Sequence, residues 1–215
     1  MSLVAPNHAF TKEEQIKEII RCGRDPIYFI NTYACIQHPT LGTIPFNTYP
    51  FQDDCVKAFQ DHRLNIILKS RQLGLSTICA AYATWMAIFQ KDRSILVIAT
   101  KLATAVNFIK KVHVVLRSLP KWLLLPKFEP SKQSISFSNG SQIKAIPTSD
   151  DAGRSEALSL LIVDECVSGD TIVDIRNKFT GEEMSISMKD LHLMLQLDQQ
   201  NVDYIYLPED DDLVE

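Results

Sequence analysis

Two stretches of the chain carry residue types suited to phosphate chemistry. The first is Lys69-Ser70-Arg71-Gln72-Leu73-Gly74-Leu75-Ser76-Thr77, which joins a short apolar run, Asn65 to Leu68, to a longer one, Ile78 to Phe89. A loop between a buried strand and a helix presents backbone N–H groups and the positive end of the helix dipole to an anion. Gly74 permits close backbone approach, and Ser76 or Thr77 can set a hydroxyl on Mg²⁺. The pattern G-x-x-x-x-G-K-[ST] is not met, because Leu75 stands where its lysine would be. Arg71 or Lys69 is left to supply the positive charge. The second stretch is Asp164-Glu165, at the end of the apolar run Leu158 to Val163. Open α/β sheets gather their ligands at the C-terminal ends of the strands. There Asp164 can hold Mg²⁺ through water and Glu165 can polarise an attacking water. The competing reading is a strand–turn–helix with a few basic residues and a solvated strand end.

These groups need a frame, and the periodicity supplies one. Thr11 to Arg21 reads as an amphipathic helix with Thr11 as N-cap and Glu14 completing a capping box. Asp25-Pro26 can start a second helix through Tyr33. A Pro/Thr/Gly-rich loop is expected from His38 to Pro50, then a helix from Gln52 to Gln60. Asn65–Leu68, Ser94–Ala99 and Leu158–Val163 read as buried parallel strands, and Ile78–Phe89 and Ala103–Leu116 as helices. Ser134–Phe137 and Gln142–Ile146 flank Asn139-Gly140, a hairpin signal because a tight turn needs positive φ. The fold class expected is α/β, a P-loop-type parallel sheet with flanking helices.

Composition agrees with a globular chain. Of 215 residues, 46% are hydrophobic, and no apolar run of eighteen or more residues suggests a membrane span. The N-terminus lacks a secretory pattern. The five cysteines, an odd number, are Cys22, Cys35, Cys55, Cys79 and Cys166; with no metal spacing they suggest a reducing cytosolic setting. Charge is uneven. Residues 1–165 hold 19 Lys+Arg against 14 Asp+Glu, and residues 166–215 hold 3 against 12. The sign changes at Cys166, as it does between units with different partners.

At these residues the chain resembles the large terminase subunit, the DNA-packaging ATPase of tailed phages. In that family the phosphate loop often reads S-R-Q-x-G-x-[ST], as Ser70 to Ser76 do. Tyr49-Pro50-Phe51-Gln52 matches the family's adenine-contacting element, an aromatic followed three residues later by glutamine. Ser134 to Ile146 is similar to its hairpin, and Asp151-Ala152-Gly153-Arg154 to its Arg/Gly loop. The resemblance covers about residues 25–165. It implies ATP and Mg²⁺ as cofactors. Gln52, Lys69, Ser70, Arg71, Gln72, Gly74, Ser76 and Thr77 would bind ATP, Asp164 with Ser76 or Thr77 would hold the metal, and Arg71 and Glu165 would be catalytic. Double-stranded DNA, a portal ring and the small terminase subunit are the partners implied, within an oligomeric ring in the host cytoplasm and with no membrane. The family's coupling motif and C-terminal nuclease carboxylates are not found.

From Cys166 the pattern changes. Cys166-Val167-Ser168-Gly169-Asp170-Thr171-Ile172-Val173 resembles the first block of an intein: a cysteine, then Asp-Thr, then alternating apolar residues. Cys166 would attack the carbonyl of Glu165 and form a thioester. Thr171–Ile175 and Met184–Ser187 read as strands, and Met188–Leu195 as a short helix, of a partial all-β Hint segment. No Thr-x-x-His follows, since His192 lacks the threonine, and no terminal His-Asn. The organisation expected is thus a terminase ATPase part, 1–165, and an N-terminal intein part, 166–215, with a complementary C-terminal intein and terminase half as partner, and ATP hydrolysis that awaits splicing. The alternatives are a stand-alone, helicase-like, DNA-dependent ATPase with a divergent C-terminal tail, in which Cys166 is an ordinary small hydrophobe, and a non-enzymatic fragment.

Overall fold

The computed structural model describes residues 10–68, 72–148 and 157–164, and beyond them 172–176, 183–187, 189–190, 193 and 204–206. Three helices and two strands precede the strand that leads to the phosphate-loop region. Helix α1 (Lys12–Arg24) starts on the expected capping box: Thr11 Oγ1 accepts from the Glu14 amide at 3.3 Å, and the Glu14 carboxylate accepts from the Thr11 amide at 2.8 Å. Helix α2 (Pro26–Tyr33) has Pro26 in its first turn and Asp25 as N-cap, where Oδ1 accepts from the Tyr28 amide. A small antiparallel hairpin, β1 (Cys35–His38) and β2 (Gly42–Pro45), runs from just before the region read as a loop into it. His38 Nδ1 accepts from the Thr40 and Leu41 amides, and Gly42 adopts φ +74°, so a side-chain-built turn does what no Asn-Gly pair announces. Helix α3 (Pro50–Asp61) follows.

Strand β3 (Ile66–Leu68) leads towards helix α4 (Leu75–Phe89). Strand β4 (Ser94–Ala99) and helix α5 (Leu102–Ser118) come next, then β5 (Phe128–Pro130), β6 (Ser134–Phe137), β7 (Gln142–Pro147) and β8 (Leu160–Asp164). Five strands form one sheet in the order β5-β6-β7-β4-β8. It is mixed, not purely parallel: β4 runs parallel to β7 and β8, whereas β5, β6 and β7 are antiparallel neighbours. The Asn139-Gly140 turn is responsible, because a tight turn can only return the chain antiparallel. Only Gly140 of that pair has positive φ (+84°). The Gly140 amide donates to the Phe137 carbonyl at 3.1 Å and the Phe137 amide to the Ser141 carbonyl at 2.8 Å, a turn closed by a left-handed glycine.

The core lies between the sheet and helices α4 and α5. Ile78, Ala80, Ala81, Ala83 and Trp85 of α4 and Phe108, Ile109, Val112 and Val115 of α5 are buried with Ile95, Val97, Ile135 and Ile143 of the sheet. Helix α4 is apolar on nearly every side, as a helix enclosed by protein must be. Two expected buried strands are corrected. In β8, Leu161 and Val163 are 50% and 51% exposed, and Ile66 in β3 is 51% exposed. Strand β8 ends the five-stranded sheet, and β3 lies outside it, pairing in parallel with β11 (Tyr204–Tyr206). An apolar run reports that a segment can be buried, not that a neighbour covers it.

In the C-terminal part, β9 (Ile172–Arg176) and β10 (Glu183–Ser187) are antiparallel, from Ile172 opposite Ser187 to Arg176 opposite Glu183. Two strands were read there: β9 is shifted by one residue at both ends, and β10 starts one residue earlier. The connection between them lies outside the described residues, as does most of the helix expected at Met188–Leu195. No helix among the described residues is long and apolar enough to cross a membrane.

Candidate functional site

The site is built where β3 passes into α4 and where β8 ends. Helix α4 begins at Leu75, so Ser76 and Thr77 lie in its first turn and not in the loop. Its N-cap is Gly74, with φ +69° and no side chain to accept from the first-turn amides. The first turn also holds no acidic residue. A helix start left uncapped by side chains is free to take an external anion. Just before it, Gln72 also has a left-handed backbone, φ +68°. Such a conformation is uncommon for a residue with a side chain and persists where the surroundings enforce it.

Across 88 residues of sequence, Ser76 Oγ donates to Asp164 Oδ1 at 2.9 Å. Of the two hydroxyls considered from sequence, Ser76 is therefore the one brought to the carboxylate. Thr77 is partly exposed, and its amide donates to the Gly74 carbonyl. The position of Asp164 follows from the sheet: β8 runs parallel to β4 with Asp164 opposite Ala99, so both strands end on the same edge. A neutral hydroxyl, one carboxylate oxygen and an uncapped helix start suit a hard cation carried with phosphate, since Mg²⁺ keeps several waters and needs few protein ligands. No group of three or more His, Cys, Asp or Glu side chains that could hold a metal alone exists among the described residues.

Gln52 packs against the backbone of the phosphate-loop region. It is 2% exposed, within helix α3. Its Nε2 donates to the Leu73 carbonyl at 3.0 Å, and its Oε1 accepts from the Tyr49 amide at 3.2 Å. Tyr49 and Phe51 stack with ring centroids 5.6 Å apart and an interplanar angle of 5°, and Tyr49 is 59% exposed. Lys69, Ser70, Arg71, the 151–154 loop, Glu165 and Cys166 lie outside the described residues. The sequence reading overlooked Lys101. It follows β4 as the N-cap of α5, exposed, on the sheet edge that also carries Asp164. The signal was available, because a residue just beyond a parallel strand belongs to the ligand edge.

Burial raises the thiols of Cys22 and Cys55, to about 12 and about 11, with nearby Glu18 and Asp54 carboxylates adding to the effect. Burial also raises that of Cys35. A protonated, enclosed thiol is a poor nucleophile, so these three are core residues.

Comparison with known proteins bears on the same region. Residues 66–170 match the family described as "Terminase large subunit, T4likevirus-type, N-terminal". That span contains β3, the loop, α4 through β8, and five residues past Glu165. Among solved structures, the large terminase of bacteriophage HK97 aligns with a TM-score of 0.57 and 16% identity over 87% of this chain. The aligned region is 44% of that terminase, so the chain spans less than half its length. The likeness at this identity is one of fold. The match over 66–170 is thus to the N-terminal family of the large terminase subunit, and the likeness over most of the chain is to the fold of one such subunit.

Proposed function

We propose that the chain contributes the ATP-binding part of a DNA-packaging motor. The observation that carries this reading is the 2.9 Å contact between Ser76 and Asp164 beside the uncapped start of α4. In this reading the amides of the first turn take the phosphate oxygens, while Ser76 and Asp164 hold Mg²⁺. The ion would neutralise charge developing on the transferred phosphoryl group. Arg71, or Lys69, supplies the cation that the loop lacks before Ser76, and Glu165 orients the attacking water. The family supplies the wider context: double-stranded DNA as cargo, with a portal and a small subunit as partners in an oligomeric ring. Calorimetry of the full chain with Mg·ATP tests the core of this. Binding is expected for the wild type and is lost in Asp164→Ala; unchanged affinity in that variant would refute the assignment. A stand-alone, helicase-like ATPase would instead turn over ATP as the 215-residue chain and lose turnover on Glu165→Gln.

For the C-terminal part we propose self-processing. The support is the Cys166–Val173 octet and the change of charge sign at Cys166. The Cys166 sulfur attacks the Glu165 carbonyl carbon, a C–S bond forms, the Glu165–Cys166 C–N bond breaks, and the freed Cys166 nitrogen takes up the proton. A downstream nucleophile on a complementary half then accepts the acyl group. The acidic 166–215 segment would attract a basic partner half by electrostatic steering. Cys166→Ala is expected to abolish ligation with a supplied half while leaving association intact. Ligated product from that variant would sink the mechanism.

A further inference from the structure

One face of the β6–β7 hairpin is built from cations and neutral hydrogen-bonding groups. Along both strands the side chains alternate: Ile135, Phe137, Ile143 and Ala145 are buried in the core, while Ser134, Ser136, Gln142 and Lys144 lie on the other face. The register sets Ser134 opposite Lys144 and Ser136 opposite Gln142. The turn that enters β6 adds Ser131, Lys132 and Gln133, and its shape is fixed by its own bonds. The Ser131 amide donates to the Ser134 carbonyl at 2.7 Å, Ser131 Oγ accepts from the Ser134 amide at 3.1 Å, and the Ala145 amide donates to the Gln133 carbonyl at 2.8 Å. Between turn and strands lies an open groove of about 590 Å³, lined by Ser131, Lys132, Gln133, Ser134, Gln142 and Lys144.

The lining carries ammonium groups, hydroxyls and amides, and no carboxylate. An amphipathic hairpin needs a polar outer face, but ordinary solvated faces intersperse both charge signs. In the five-stranded sheet the carboxylate that shares this face is Glu129, opposite Ser136 and outside the lining. Lysines, hydroxyls and amides are the side chains that contact a nucleic-acid backbone. No aromatic side chain lines the groove, so nothing there stacks on an unpaired base. The groove is also separate from the nucleotide site. Lys144 stands opposite Leu96 and Asp164 opposite Ala99, an odd number of residues apart along β4 and so on opposite faces. Gln142 stands opposite Ser94 at the start of β4, roughly 17 Å from its Ala99 end.

We infer that this groove contacts the phosphate backbone of double-stranded DNA, with Lys132 and Lys144 as its two cations. The choice of polyanion rests on the DNA-packaging reading, and the ATP chemistry does not enter it. The duplex is preferred to a single strand because the lining reads backbone and offers bases nothing.

The test is fluorescence anisotropy of labelled duplexes with the full chain, from about 50 to 200 mM salt. Each lysine that neutralises a phosphate contributes about 0.9 to the slope of log affinity against log salt. Combining Lys132→Gln with Lys144→Gln should lower that slope by about 1.8, which at about 0.1 M salt is a loss of roughly sixtyfold relative to 1 M. The loss should be the same for two duplexes of unrelated sequence. Combining Lys132→Arg with Lys144→Arg should restore the slope, because arginine keeps the charge a phosphate needs. Lys17→Gln, at an exposed position of α1, should leave it unchanged. Failure of the wild type to bind duplex would reduce the groove to a solvated hairpin face and overturn the inference. An equal loss in Lys17→Gln would do so too, since the attraction would then be diffuse. Tighter binding of a single strand with the same dependence on the two lysines would assign the groove to unpaired nucleic acid instead. Mg·ATP affinity of the glutamine pair is expected to match the wild type; a parallel loss there, with no rescue of DNA binding by the arginine pair, would make the lysines structural and also overturn the inference. A wild type that binds duplex through these lysines but not Mg·ATP would sink the ATP reading alone, and one that binds Mg·ATP but not duplex would sink the groove assignment alone.

Discussion

At the scale of single residues, the hydroxyl of Ser76 and the carboxylate of Asp164 dominate the candidate site. Their bond is charge-assisted, and such bonds contribute about 1.5–3 kcal/mol. The two side chains belong to different elements, so the bond also fixes the end of β8 against the start of α4. Ser76→Ala removes one metal ligand and leaves Asp164 in place. A partial effect is therefore expected: Mg·ATP affinity lower by roughly ten- to a hundredfold, from the energy of one charge-assisted bond, against complete loss in Asp164→Ala. The same titration in which Ser76→Ala matches the wild type would show that Ser76 serves the apo arrangement only. The hydroxyl–acid pair was legible in the sequence to within one choice, Ser76 or Thr77. Helical phase decides it, and phase depends on where α4 starts. The contact between Gln52 and the Leu73 carbonyl was not legible. The spacing of Gln52 from the aromatic residues indicates a shared element, but which backbone group its amide meets depends on the tertiary packing of α3 against the loop.

At the scale of elements, the β6–β7 turn does more than reverse the chain. Asn139 Nδ2 donates to the Ala87 and Gln90 carbonyls at 2.8 and 3.0 Å, and Ser141 Oγ donates to the Gln90 carbonyl at 3.0 Å. The Asp92 amide donates to the Asn139 carbonyl, and Ser141 Oγ accepts from the Arg93 amide. The last carbonyls of α4 have no partners within the helix, and the hairpin tip supplies them. Helix α4 is thus held at both ends, by the candidate phosphate site and by the hairpin. Asn139→Ala leaves two partly buried carbonyls without that donor, and the expected cost is about 1–3 kcal/mol. For a domain of this size that is a fall in Tm of roughly 2–12 °C, measurable by calorimetric unfolding. A Tm within one degree of wild type would mean that water replaces the amide at no cost. Asn-Gly predicted the turn from φ preferences alone. The capping of a helix about fifty residues earlier cannot be seen in local sequence, because it follows from how the hairpin stacks on the sheet. The helices and β4 were legible for the opposite reason: their signals, periodicity and Thr11 and Asp25 caps, are local. The β1–β2 hairpin was missed because His38 shapes its turn with a side chain.

At the scale of the whole molecule, the five-stranded sheet and the phosphate-loop strand form separate ladders. Strand β8 closes one, and β3 pairs with β11 in the other. Along β8 the side chains alternate between partly buried (Leu160, Ile162, Asp164) and half-exposed (Leu161, Val163), as successive residues point to opposite faces. The register sets Leu161 beside Leu96, which is fully buried, so the cover over β4 does not extend to β8 on that face. Exposed apolar side chains on the last strand of a sheet favour association with other chains. Replacing both Leu161 and Val163 with threonine puts a β-branched residue at each site, which suits a strand, while removing apolar surface. Because both sites are half-exposed, the stability change should stay within about 0.5–1 kcal/mol for the pair. Were the strand buried, as its composition alone suggests, truncating two core side chains with added hydroxyls would cost several kcal/mol. The measurement is paired: Tm by calorimetry, and concentration-dependent association by sedimentation. Reduced association at nearly constant Tm is the expected outcome. A fall in Tm beyond roughly 5 °C, about 2 kcal/mol in a domain of this size, would show that β8 is covered on that face in solution and that its apolar sequence had reported a buried strand correctly.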